Sequence, residues 1–140
     1  MATIKEITMN KICTSIVQSK KLIELGISVN TADMFWDMAE PDKRRKPLVG
    51  PISDYYDMED WAVPAWSLSA LLELIPPYLG EFNDGIDFEF SKAMNSKWYS
   101  AHYIKFNDSG LASFNKTVTG DTAIDAAFEM VCWLLKNKKL

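Results

Sequence analysis

A chain of 140 residues, 48% apolar and 24% charged, has the composition of one folded domain and argues against disorder. Fifteen Lys and Arg against nineteen Asp and Glu leave a net charge of −4, which disfavours a general phosphate-backbone binder. No apolar run approaches the ~18 residues of a membrane span and the first residues carry no apolar leader, so a soluble, cytoplasmic protein is expected.

In chain order, residues 1–13 alternate weakly and read as a mobile or edge-strand lead-in. Ser15 and Gln18 have capping-box spacing, which starts a helix that Gly26 stops in a left-handed cap, with Ile27 folding back on Leu22. Residues 33–38 alternate with period two: Met34, Trp36 and Met38 point one way, Asp33, Phe35 and Asp37 the other, as in a strand. After a charged turn, Leu48, Val49 and Ile52 make a short partner strand that Pro47 and Pro51 confine to an edge. From 53 to 65 the periodicity dissolves, and some strand or single-turn structure without a fixed position is expected.

Ser67 caps a second helix whose Leu68, Leu71, Leu72 and Ile75 form one stripe, and Pro76-Pro77 ends it. Ile86, Phe88 and Phe90 then alternate with polar residues, and residues 98–106 form a second strand. Matching apolar faces predicts a hairpin with Phe90 opposite Trp98, Phe88 opposite Ser100 and Ile86 opposite His102, turning at Met94 with His102 on the core side. Residues 107–110 are a turn, and 111–119 are a further strand or a long return. Gly120-Asp121-Thr122 opens the best-defined element, a helix over 123–136 capped by Thr122. Its polar stripe is narrow (Asp125, Glu129, Cys132 and Lys136), so its broad apolar arc must be covered from more than one side.

These elements predict a single α+β domain over 1–140, mainly an antiparallel sheet of about three to five strands packed by about three helices. The C-terminal helix is central, with Phe88, Phe90, Trp98, Ile104 and the 68–75 helix as its neighbours.

Three stretches carry a resemblance. They are Gln18-Ser19-Lys20-Lys21-Leu22 with Thr31-Ala32-Asp33-Met34, Pro64-Ala65-Trp66-Ser67-Leu68 with the helix after it, and Gly120-Asp121-Thr122 with Cys132-Trp133-Leu134-Leu135. Together the chain resembles a family of small uncharacterised proteins carried by gut anaerobes and their phages or mobile elements. That resemblance implies no activity and brings no catalytic residues. The C-terminal part is also similar to small phage proteins with an α-β-α sandwich, whose last helix opens with Thr-Pro where this chain has Thr122-Ala123.

Candidate chemistry is thin. His102 is the only histidine, and neither Cys13 nor Cys132 sits in a nucleophile or metal-binding motif, so no catalytic residue, metal ligand or cofactor is assigned. Asp33, Asp37, Asp87 and Glu89 lie on polar strand faces. If those strands shared a sheet, the carboxylates would converge as a small hydrolase or metal-dependent enzyme requires. Lys43, Arg44, Arg45 and Lys46 form the one basic cluster, a phosphate-contact candidate in an acidic chain. Tyr55, Tyr56, Met58, Trp61 and Trp66 form an aromatic stretch outside the periodic elements, and such residues are enriched at interface cores. The reading favoured is a non-enzymatic interaction module with a protein partner or a second copy of itself, using the 53–66 loop or an exposed sheet edge. Nucleic acid and membrane are disfavoured as partners.

Overall fold

The computed structural model describes residues 11–38, 47–50, 62–92 and 97–140. Among them are three α-helices and two antiparallel sheets, an α+β fold. The chain divides into two compact units, Met1–Leu72 and Glu73–Leu140, and each builds one of the sheets.

In the first unit, α1 (Ile16–Glu24) begins with the expected box: Ser15 Oγ accepts from the Gln18 amide, and Gln18 Oε1 accepts from the Ser15 amide. Its end is the expected Schellman motif. Gly26 has φ +103°, its amide donates to the Ile23 carbonyl, and the Ile27 amide donates to the Leu22 carbonyl. β1 (Met34–Asp37) is the centre of a three-stranded sheet between β2 (Pro47–Val49) and β3 (Ala62–Ala65). Ala-Val-Pro-Ala carries little strand signal in sequence. β3 forms because its backbone completes β1, and its Pro64 is tolerated because β3 is an edge.

Thr14 joins these pieces. Its amide donates to the Trp66 carbonyl at 2.9 Å, and its Oγ1 accepts from the Trp66 amide at 3.0 Å and bonds Ser19 Oγ at 2.8 Å. Its carbonyl accepts from the Trp36 indole at 2.9 Å. Thr14 and Ser19 are fully buried, so every one of these polar groups needs its partner. Of the lead-in, residues 1–10 lie outside the described residues. Cys13 is buried in a core cluster with Met34 and Ala65 and forms a bridge with Ser67.

Asp33 ties the sheet to the next helix, α2 (Leu68–Leu74). Its carboxylate accepts from the Ser67 amide at 2.9 Å and from the Ser67 hydroxyl, and Ser67 Oγ in turn accepts from the Ala70 amide in the first turn.

The second unit is a four-stranded sheet ordered β4 (Tyr78–Leu79), β5 (Ile86–Lys92), β6 (Tyr99–Phe106) and β7 (Ala112–Gly120), with α3 (Ala123–Lys136) packed on β6 and β7. The β5–β6 register differs from the expected one. Phe90 lies opposite Ala101, Phe88 opposite Tyr103, and Glu89 opposite His102. The shift is an odd number of residues, so it exchanges the faces of β6. Tyr103 is the reason. It is fully buried, its ring lies 5.4 Å from Phe88 and 6.4 Å from Trp133 of α3, and its hydroxyl donates to the Pro76 carbonyl at 2.6 Å. A tyrosine on the strand face opposite to the one expected to face the core is thus the helix-side core residue, while Trp98 precedes the strand and is 59% exposed.

The helix itself runs as expected from Thr122, whose side chain accepts from the Asp125 amide. Its buried arc is wider still, because Cys132 is buried rather than on the polar stripe and behaves as a small apolar residue. β7 reaches α3 through a close approach at Gly120. A Cβ there would lie 2.5 Å from the Ala126 amide nitrogen and 2.8 Å from the Asp125 carbonyl carbon.

Two substitutions test this frame by urea denaturation. Gly120→Ala should destabilise by about 1–3 kcal/mol, because backbone rather than a side-chain tip must move. Thr14→Val should cost about 1–3 kcal/mol by leaving the buried Trp66 amide without its acceptor.

Candidate functional site

The carboxylates do not share a sheet. Asp33 directly precedes β1 and Asp37 ends it in the first unit, whereas Asp87 and Glu89 belong to β5 in the second, so the premise of a converged acidic face is not met. Asp33 holds Ser67, and Glu89 Oε2 lies 3.1 Å from His102 Nε2. Among the described residues, no three His, Cys, Asp or Glu come together as a metal site would require.

His102 is buried on the sheet face away from α3, opposite to the expected side. Its Nδ1 is 3.3 Å from Ser100 Oγ, and its ring meets the edge of Phe114 at 5.1 Å. When Nε2 carries the proton and donates to Glu89, Nδ1 accepts from the Ser100 hydroxyl, and the three side chains form a line across β5 and β6. Ser100 sits within β6 with β5 and β7 paired on either side, so its backbone is committed to the ladder and offers no donor pair for an oxyanion. The line satisfies the buried imidazole of His102 from an exposed Glu89 and a half-buried Ser100, and its geometry is structural.

Both cysteines are buried. Burial lifts the Cys13 thiol to about 11, with Asp33 adding to the rise and Lys11 opposing it, so Cys13 is a poor nucleophile. Burial likewise pushes the Tyr103 hydroxyl well above its ordinary range.

Of the aromatic stretch, Trp66 is fully buried, and its indole nitrogen donates to Thr31 Oγ1 at 2.9 Å. Its assignment to a surface is corrected: the side chain fills the core of the first unit. Tyr55, Tyr56, Met58 and Trp61 lie outside the described residues, as do Lys43, Arg44, Arg45 and Lys46.

The second unit has an open cleft of about 430 Å³ between the stretch from Pro76 to Gly80 and the pair Lys138 and Lys139. No carboxylate, imidazole or thiol lines it. Lys138 there takes the left-handed C′ position of the α3 cap at φ +54°, where glycine is usual.

The feature that sequence reading left unresolved is β7. It is nine residues long, and Ala112, Ser113, Phe114, Asn115, Thr117 and Thr119 are all exposed. It is the last strand of its sheet, and among the described residues no strand pairs with its outer side. A bulge opposite the Tyr103/Ile104 step leaves Asn115 without a β6 partner and separates the Phe114 end from a regular run over 116–120. Beside it on the face away from α3, Phe106 and Phe114 are each 57% exposed, and Leu111 of the turn before it is 68% exposed. The sequence left 111–119 as a strand or a long return, and nothing there showed that the strand would end the sheet. Comparison with family models, with curated proteins and with solved structures gives no match. No helix among the described residues is long and apolar enough to cross a membrane.

The buried thiol sets a pH dependence. The unfolded chain loses the Cys13 proton near the ordinary 9.0 and the folded chain only near 11, so stability is full below 9.0 and declines as pH rises through that window. Tyr103 acts in the same direction at higher pH. Urea midpoints should fall steadily on the alkaline side of 9.0, and both thiols should react with a disulfide reagent only as the chain unfolds.

Proposed function

We propose that this chain is a non-enzymatic protein-interaction module, of the kind carried by phages and mobile elements, and that β7 is the edge through which it binds. The observation that carries the reading is a nine-residue strand whose outer side pairs with no strand among the described residues, beside exposed Phe106, Leu111 and Phe114. An open edge presents a row of backbone donors and acceptors that an extended segment satisfies, and adjacent apolar side chains add specificity. Native edges are normally blunted by proline, by charges or by shortness. β7 has no proline, and its one charge, Lys116, is turned toward the Trp133 ring of α3 at 5.8 Å. Its bulge interrupts the edge at one point only. Two buried thiols suit a reducing compartment, and the cytoplasm is the setting we propose.

Carboxylate chemistry has no comparable support, since its four residues are divided between the two units.

Proline substitution tests the edge. In an antiparallel strand successive amides point alternately inward and outward, so one of Thr117→Pro and Val118→Pro removes an inward bond and destabilises, while the other removes an outward donor. The outward variant should keep the unfolding midpoint of the native chain and lose whatever protein co-purifies with it from the native host. Retention of that partner by the outward variant would sink the reading.

A further inference from the structure

Resting on the reading of β7 as the binding edge, we infer that its occupant is β7 of a second copy of this chain, paired antiparallel about a two-fold axis through Val118. An open edge specifies another strand; the side chains of 116–120 specify which one. Residues directly opposite in an antiparallel pair share a face, so a two-fold pairing that keeps α3 of both copies on the same side must centre on a residue rather than between two. Centring on Val118 sets Val118 against itself, and sets Thr117 against the second copy's Thr119 on both sides of the axis. Thr–Thr and β-branched pairs are favourable cross-strand neighbours.

Charge agrees with the same register. Lys116 falls opposite the second copy's Gly120, which has no side chain, and next to the second copy's exposed Asp121. No like charges face each other. The five paired positions end where the geometry ends them: at one side the Asn115 bulge, at the other the turn into α3. On the helix side, half-buried Trp133 with Lys116 over its ring flanks this run. On the opposite face, exposed Thr117 and Thr119 would be covered by their counterparts. The result joins two four-stranded sheets into one of eight strands and covers the 116–120 part of the β7 edge.

Sedimentation of the full chain from micromolar to submillimolar concentration, combined with amide exchange and thiol cross-linking, tests this. The native chain should dimerise, and Val118→Lys, which places two ammonium groups face to face, should weaken the dimer about tenfold or more. Val118→Cys should form a covalent dimer on mild oxidation, since opposed Cα atoms lie roughly 4.5–5.5 Å apart, inside the disulfide range. Thr117→Cys should not, because its counterpart is two residues off register and beyond roughly 7 Å. Native Cys13 and Cys132 are buried and serve as the internal control. If Val118→Lys fails to fold, the two cysteine variants still decide the register.

A dimer indifferent to Val118→Lys, or one cross-linked equally by both cysteines, overturns the inference. A monomer whose outward β7 amides exchange freely overturns the second copy as occupant but leaves β7 as an open edge for another protein. A monomer with every β7 amide protected overturns the inference and the edge reading together.

Discussion

The register of β5 against β6 is the constraint on which the second unit depends. With Phe88 opposite Tyr103, one face of the sheet gathers Phe88, Ala101 and Tyr103 against α3 and its Trp133, and the tyrosine hydroxyl reaches the Pro76 carbonyl at the start of the unit. The same pairing sends Glu89, Ser100 and His102 to the other face, where they satisfy one another. Shifting that pairing by one residue would bury the charged side of β5 under α3 and leave two phenylalanines facing the other way. Everything proposed for β7 follows from this arrangement, because β6 fixes which of its side chains flank the helix and which do not.

The first unit rests on a different device. A buried threonine uses its amide, carbonyl and hydroxyl at once, and an aspartate and a serine connect strand to helix. Such short polar side chains substitute for the large core that seventy residues do not supply, and each works only while every partner is present. Asp33 illustrates how a functional reading and a structural one compete for the same residue. Its carboxylate is committed to Ser67, so its chemistry is already spoken for.

Much of the fold was legible because local rules operate alone at particular places. Ser15, Gln18 and Gly26 set both ends of α1, and Thr122 with the 123–136 apolar arc set α3, since caps and helical periodicity need no distant partner. β1 with its edge partner at Leu48 and Val49 followed from alternation and two prolines. What failed needed tertiary information. Tyr103 is polar by type and core by position, and Cys132 sits on the polar stripe of a helix buried beyond its apolar arc. β3 is small residues and a proline given strand form by β1. Trp66 has an interface-like composition around it, but it anchors the core through Thr14 and Thr31. The open edge was invisible for the plainest reason: being last in a sheet is a property of topology, which a linear pattern does not encode.

The two units also differ in when they can form. In the second, every strand pairs with its neighbour in sequence, so each contact closes a short loop and the meander can grow outward from its turns. In the first, Thr14 waits for Trp66, a partner 52 residues away, and Cys13 waits for Ser67. Closing that span costs conformational entropy before any of the buried hydrogen bonds offset it. On the ribosome, the segment synthesised first would therefore remain incomplete until Trp66 and Ser67 have cleared the exit tunnel, and only then could the N-terminal core close.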